Sequence, residues 1–394
     1  MMIFKNLLRR LALLGFAASL LLLSACTKAA PALEPLGVLE VKRGIQSMAW
    51  HPDGVHLAIG YSMLAEVEVW NVQTKQAVFS VPSHRRLTNQ SGQEVTFSPD
   101  GKYLIVQDFV DSKNGDPKFP RSFDDPNELP AQADKQRYIL ARVWDWPQRK
   151  EVAPLRGPAS ELYGTAQEGF CWVAGEENVL AMHRSSVVVT YDVTTGAMLA
   201  ETNLLQPFPE YPKRAYSYWK MACHPTQPHV ALEGQQFAKR NGPIYGYPGG
   251  NGAAAIVVGD LDKKRVHKVL ISPTPLNGVT FTADGSKLLS FGAPPIRVWD
   301  TTRDYALVGE IFDPKENTNY FAGLNGFDGV IGLSGDLHLW NAQQLKRVAT
   351  QIVPPDVFRI TVHQASKTVA VAIGRFAHLY RFNPAALNPP IEGK

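Results

Sequence analysis

The chain has 394 residues, 45% of them hydrophobic, with 40 Lys and Arg against 36 Asp and Glu. That apolar content builds a sizeable core but not a multi-span membrane protein. Three of the forty basic residues precede Cys26, so the remainder is close to neutral and lacks the basic surplus of a nucleic-acid binder.

The first element is N-terminal. Lys5, Arg9 and Arg10 give a positive start, Leu11 to Leu23 is almost wholly apolar, and Ser24 and Ala25 are small. This is the layout of a secretory signal peptide. Its apolar run is short of the roughly 20 residues that span a bilayer as a helix. Leu23-Ser24-Ala25-Cys26 resembles the lipobox of bacterial lipoproteins. The resemblance implies cleavage before Cys26, a diacylglycerol on its sulfur and acylation of the new amine. Two or more acyl chains anchor a protein stably. Thr27 after Cys26, rather than Asp, resembles lipoproteins sorted to the outer membrane, which implies the periplasmic side of that membrane. The expected order is a signal peptide over 1–25, then a lipidated cysteine and a flexible Ala/Pro-rich tether over 26–36.

Beyond the tether one pattern recurs. "SMAWHPDGVHLAIG" (47–60) is echoed by "EVTFSPDGKYLIVQ" (94–107) and "GVTFTADGSKLLSF" (278–291). Weaker copies begin at 170, 220 and 358. Each reads as a short alternating strand, a tight turn and a second strand. Gly accepts positive φ, and Asp bonds its local backbone. A second motif follows each copy: "VEVWN", "ARVWD", "VVTYD", "IRVWD" and "LHLWN", with "IVVGD" and "HLYRF" as degenerate forms. The aromatic anchors or their equivalents fall at 70, 144, 191, 259, 299, 340 and 380.

Strands ending in Trp-Asp or a variant of it, the last four anchors 40, 41 and 40 residues apart, resemble the WD-repeat β-propeller family. The resemblance covers 37–382 in seven units, with 383–394 as a tail. It implies an all-β, seven-bladed propeller of four-stranded antiparallel blades. The family's Gly-His before the innermost strand is missing, so blade packing is expected to rest on apolar contacts. The last unit supplies only three strands, 357–362, 368–373 and 376–382. The segment 37–42, "GVLEVK", is expected to pair with the outer edge of 376–382, sealing the ring and covering an edge.

Most individual residues have structural readings. Trp70, Trp144, Trp299 and Trp340 are expected in the inter-blade core. Asp145, Asp192, Asp260 and Asp300 are expected to fix turns, and His51 and His224 to hold the inner turns. The ten histidines show no HxxxH or HExxH spacing. "DSKNGD" (111–116) lacks the acidic ligand of a calcium loop, so no metal and no cofactor is expected. No GxSxG, SxxK or phosphate loop occurs, so no catalytic residue is assigned. Cys171 and Cys223 occupy inner strands of neighbouring units. Packed sheets lie about 10 Å apart, and a disulfide needs Cα atoms within about 7 Å. Two buried free thiols are therefore expected over a disulfide.

Extra length is unevenly spread. First-to-second and third-to-fourth turns are short throughout. The long connections are 82–92, 109–137, 155–167, 203–216 and 234–252. In an up-and-down meander these all leave one face. Loops of this length in a compact domain are usually functional or disordered. Tyr211, Tyr245 and Tyr247 offer amphipathic contact area, and Arg85, Arg86, Arg214 and Arg240 can meet carboxylates. Tyr and Arg on a rigid scaffold are the composition of interface hot spots. The expected function is a lipid-anchored envelope scaffold, monomeric, with protein partners and no nucleic acid. A propeller enzyme of hydrolase or quinone-dependent dehydrogenase type, or a glycan or small-ligand binder, is the alternative.

Overall fold

The computed structural model describes residues 31–61, 66–81, 94–111, 138–157, 169–184, 187–204, 216–236, 254–274, 276–292, 295–311, 320–324, 329–333, 337–342, 344–351 and 357–383. The chain divides into Met1–Pro31 and Ala32–Lys394, and every described strand lies in the second unit. Those strands build four-stranded antiparallel blades in a propeller arrangement. A three-residue 3-10 turn at Thr301–Arg303 is the one helical piece among the described residues.

The chain opens with β1 (Leu33–Glu40), discussed below. The first sheet follows as β2 (Ile45–Trp50), β3 (His56–Tyr61), β4 (Val67–Asn71) and β5 (Gln76–Val81). The second is β6 (Val95–Phe97), β7 (Tyr103–Asp111), β8 (Tyr138–Asp145) and β9 (Lys150–Gly157). The third is β10 (Phe170–Trp172), β11 (Val179–Arg184), β12 (Val187–Asp192) and β13 (Ala197–Asn203). The fourth is β14 (Tyr216–Cys223), β15 (His229–Gln236), β16 (Ala254–Asp260) and β17 (Arg265–Ser272). The fifth is β18 (Leu276–Phe281), β19 (Lys287–Gly292), β20 (Ile296–Asp300) and β21 (Ala306–Ile311). The sixth is β22 (Tyr320–Leu324), β23 (Gly329–Leu333), β24 (Leu337–Asn341) and β25 (Lys346–Gln351). The last contains β26 (Val357–His363), β27 (Thr368–Ile373) and β28 (Phe376–Phe382), with β1 hydrogen-bonded to β28.

The β1–β28 ladder runs from Leu33 opposite Phe382 to Glu40 opposite Phe376. The repeat pattern expects this pairing, but the strand starts at Leu33, so "LEPL" (33–36) belongs to the ladder rather than to the tether. Leu33 and Leu39 bury their side chains, and these two anchors bracket the segment.

Burial grades across each sheet. The first strands, β2, β6, β10, β14, β18, β22 and β26, pack on one another in chain order, and β26 also packs on β2. Middle strands are covered on both faces: β16 (AAIVVGD), β19 (KLLSFG) and β27 (TVAVAI) are buried along their whole length. A strand sandwiched on both sides reads as a continuous apolar run rather than an alternation. The outer strands β5 and β13 are largely exposed. Apolar clusters join consecutive sheets. Ala58 and Val69 of the first sheet meet Phe97, Leu104 and Trp144 of the second. Leu39, Ala370 and Leu379 of the last meet Leu57, Ile59 and Tyr61 of the first. Trp340 is fully buried between the fifth and sixth. The aromatic anchors Trp144, Trp299 and Trp340 are thus core, and Trp70 packs against the core partly buried.

One irregularity repeats. Each pairing of a third with a fourth strand in the first six sheets skips one residue on the outer strand: Val78, Val152, Leu199, His267, Val308 and Val348. Such bulges bend the strand and re-aim the skipped side chain.

The expectation of free thiols is corrected. Cys171 of β10 and Cys223 of β14 are joined by a disulfide, with Cα atoms 5.5 Å apart. Blades splay outward from the axis, so their innermost strands approach more closely than the average spacing of packed sheets. Both cysteines are half-buried beside Val173, Leu232 and Met221.

Candidate functional site

The residues proposed for lipidation and partner contact, Cys26, Arg85, Arg86, Tyr211, Arg214, Arg240, Tyr245 and Tyr247, lie outside the described residues. The strand ends that flank the long connections are described. They are Val81 and Val95, Asp111 and Tyr138, Gly157 and Phe170, Asn203 and Tyr216, and Gln236 and Ala254. In an antiparallel meander all of them leave the sheets at the end opposite the short first-to-second turns.

The first strands of the last, first, second and third sheets line an open cavity of about 920 Å³. It runs from Glu94, beside β6, to Pro52, Pro99 and Ala365 in the short turns. Its wall is rich in aromatics: Trp50, Phe97, Phe170 and Trp172. Thr96 and Thr361 add hydroxyls. The Trp172 indole N–H donates to Thr96 Oγ1 at 3.2 Å, tying the third sheet to the second. Trp172 lies off the Trp-Asp positions, so the repeat does not flag it. Glu94 and His363 are the lining carboxylate and imidazole, and both have fixed neighbours. Arg359 reaches Glu94 at 3.4 Å and donates from Nε to the Gln46 carbonyl at 2.7 Å. His363 Nε2 donates to the Pro52 carbonyl at 3.0 Å, while Nδ1 accepts the Ser366 N–H at 3.1 Å. The cleft thus sets aromatic faces beside hydroxyls and a fixed carboxylate and imidazole.

A Lys–Glu pair lies deeper. Lys220 of β14 stands opposite Glu233 of β15 in the ladder. Glu233 is fully buried, and neither carboxylate oxygen has a hydrogen-bond partner among the described residues. Burial pushes its carboxyl up to about 8, opposed by the Lys220 charge. Burial in turn pulls the Lys220 ammonium down, with Arg359 adding to the effect. Glu233 shares its sheet face with Ala231, which packs toward the fifth sheet. At the same step of the second strand stand the buried Gln107 and His183 of the second and third sheets. Aligning the repeats strand by strand reveals this polar arc, whereas the turn motifs alone do not.

Two His/Asp groupings bring three possible ligand atoms together: His51, Asp53 and His56, and His229, Asp260 and His267. Spacing rules miss both, because neither follows a helical period. The first is committed to its turn. His51 Nδ1 accepts the Asp53 N–H at 3.1 Å, and its Nε2 donates to the Gly101 carbonyl of the second sheet at 3.0 Å. Asp53 caps the backbone N–H groups of Val55 and His56 and holds the His56 ring at 2.7 Å. A Cβ on Gly101 would fall 2.5 Å from His51 Nε2, and its φ of +75° also requires glycine. His224 repeats this seat against Gly285, also at φ +75°, its Nδ1 accepting the Thr226 and Gln227 N–H groups at 3.1 Å. His363 repeats it against Pro52. These imidazoles are turn-to-turn latches between neighbouring sheets, which is the structural role expected for His51 and His224.

The second grouping is less committed. His229 and Asp260 are ladder partners, and His267 stands at the outer-strand bulge of the same sheet. The His229 and His267 rings stack with centroids 4.6 Å apart. Asp260 is nearly fully buried, and Lys263 holds its carboxyl below the usual range through side-chain and backbone hydrogen bonds that outweigh burial. Burial, with His267 and Lys263 nearby, lowers the His229 imidazole.

Compared with known proteins, the chain matches no family model and no curated sequence.

Proposed function

We propose that this chain is a lipid-anchored, non-enzymatic scaffold of the WD-repeat propeller kind, whose blades close into one seven-membered ring that receives a protein partner in the cell envelope. The observation that carries this reading is the aromatic cavity among the first strands, in which the lining carboxylate and imidazole are engaged with neighbours. Ring closure draws support from the packing of β26 on β2 and from the β1–β28 ladder. The anchor rests on Cys26 and the apolar run before it. The long connections, with Arg85, Arg86, Tyr211, Arg214, Arg240, Tyr245 and Tyr247, supply the contact face, and the cavity seats an apolar side chain of the partner. Propeller scaffolds use a rigid ring to present such surfaces, although one fold carries many functions.

Crosslinking in intact cells tests the reading. Changing Tyr211, Arg214, Tyr245 and Tyr247 together to Ala is expected to abolish capture of at least one envelope protein, while circular dichroism stays native. Capture of every partner at wild-type yield would remove the proposed face. Cys26→Ser is expected to release the protein from membranes. Retention of that variant with unchanged processing counts against lipidation.

The same cavity favours a second reading. Trp50, Phe97, Phe170 and Trp172 with neighbouring Thr hydroxyls suit the faces and hydroxyls of a sugar. Quenching of tryptophan fluorescence by soluble glycans, lost in Trp172→Ala, would favour this reading over the scaffold.

A further inference from the structure

We propose that His229, Asp260 and His267 form a binding site for a first-row divalent transition ion, for which Zn2+ is the working probe.

Asp260 stands where Asn71, Asp145, Asp192, Asp300 and Asn341 stand in the other sheets, at the end of the third strand. His229 begins the second strand and is its ladder partner. The unusual member is His267. It occupies the outer-strand bulge, which carries Val78, Val152, Leu199, Val308 and Val348 in the other sheets. The fold is therefore satisfied by an aliphatic residue at this position, and histidine is not needed to make the bulge. A bulge next to a ligand group is a device for aiming a side chain.

The geometry is close to that of a chelate. One donor atom from each residue lies within 4.8 Å of the other two. His229 Nε2 is 4.0 Å from Asp260 Oδ2. Bond lengths of about 2.1 Å to nitrogen and oxygen set tetrahedral donors about 3.4 Å apart. The required closure is roughly 1 Å, which the partly exposed His267 ring can supply by pivoting about its Asp304 contact.

The far nitrogen of each ring is held in the way metal-bound imidazoles are held. His229 Nδ1 is 3.0 Å from the Tyr305 hydroxyl, and His267 Nε2 is 3.0 Å from Asp304 Oδ1. With those nitrogens donating, His229 Nε2 and His267 Nδ1 keep their lone pairs. Such outer partners fix the tautomer and raise ligand basicity. A cation already sits on the carboxylate: Lys263 Nζ is 2.8 Å from Asp260 Oδ2. That side chain is 62% exposed and has room to withdraw into water when a dication takes its place. Two imidazoles and one carboxylate, with water completing the shell, suit Zn2+, Co2+, Ni2+ or Cu2+ rather than Mg2+ or Ca2+. The His51, Asp53 and His56 grouping has no such vacancy, since both His51 nitrogens are used in the turn.

Equilibrium dialysis of the untagged full chain against Zn2+, with Co2+ absorption in the visible as a second readout, tests the site. The wild type is expected to take up one ion with the visible bands of a nitrogen and oxygen ligand field. His267→Val restores the side chain of the other bulges, so the fold is retained, and affinity is expected to fall at least ~10-fold. Asp304→Asn is expected to weaken binding by about 10-fold. Lys263→Ala is expected to tighten it, because a competing ammonium is removed; an unchanged or weaker affinity there counts against the site. No uptake by the wild type, or uptake that His267→Val leaves intact, overturns the proposal.

Discussion

The seam between the last and first sheets and the seam between the fourth and fifth are made from the same strand types but held by different forces. The former is apolar. Leu39, Ala370, Ala372 and Leu379 meet Leu57, Ile59 and Tyr61, and the His363 latch onto Pro52 fixes the turn end. It also buries polar groups, Tyr61 and Glu68 among them, and these two are hydrogen-bonded to each other. Tyr61 donates to Glu68, which also accepts from the Trp70 indole at 3.1 Å and faces Lys42 at 2.8 Å. The latter seam packs Ala231, Ile256, Leu276 and Phe281 but also encloses ionisable side chains. Glu233 is buried there, and Arg297 donates to Ser272 at 2.9 Å and to Thr274 at 3.0 Å. A seam that joins the two ends of the chain gains most from non-directional burial, which tolerates small shifts. A seam inside one continuous stretch can carry buried polar groups, because short links already hold its sheets in place.

The comparison breaks most visibly at the N-terminal strand. Deleting residues 33–40 removes Leu33 and Leu39 from the core and bares the β28 edge. Loss of the soluble folded species is expected, read by size-exclusion chromatography and near-ultraviolet circular dichroism. Leu57→Ala in the apolar seam is expected to cost about 2–5 kcal/mol in urea unfolding, with the upper half reached if the site cannot collapse. Replacing Cys171 and Cys223 together by Ala, on the neighbouring seam of the third and fourth sheets, opens a link 52 residues apart in sequence. A loss of about 2–4 kcal/mol is expected, equal to what reduction costs the wild type.

The polar seam gives a pH signature. The unfolded chain releases the Glu233 proton near 4.5, whereas the folded chain keeps it until about 8. Between those values the native state binds more protons than the unfolded state, so stability falls as pH rises. Glu233→Gln is expected to flatten that decline and to raise stability above pH 8 by on the order of a few kcal/mol. A Tm-versus-pH series on both proteins checks it; identical slopes would mean that Glu233 is ionised in the fold. The smallest effect belongs to the latch. His363→Ala is expected to cost about 1 kcal/mol, the net worth of a typical hydrogen bond, read by urea unfolding.

What the sequence makes legible is local. Ser98-Pro99-Asp100-Gly101 is a turn because Asp100 accepts the Ser98 hydroxyl at 2.6 Å and the Lys102 N–H at 3.0 Å. The Trp-Asp motif ends a strand because Asp145 caps Gln148 at 2.7 Å and Asp192 caps Thr194 at 2.8 Å. The β1–β28 partnership is equally readable, since one unit lacks a strand and one strand lacks a unit. What depends on distance between sheets is not legible. The Cys171–Cys223 link follows from convergence of inner strands, which an average sheet spacing hides. His267 approaches His229 only through a skipped residue in the outer strand, and no motif marks a bulge. Glu233 looks like an ordinary strand residue until the neighbouring sheet covers it. The tyrosine and arginine face belongs to segments outside the described residues, so its legibility rests on loop length and composition alone.

The ladder of β1 on β28 carries a mechanical consequence. Leu33 stands at one extremity of that ladder, opposite Phe382, so a load applied at Leu33 enters the fold through this pair of strands. Tension along the strand direction shears all the ladder bonds at once and meets high resistance. Tension perpendicular to it peels them singly from Leu33 onward and meets little. The resistance of this joint is therefore set by the direction of pull, and single-molecule stretching from the two directions is expected to yield two distinct rupture forces.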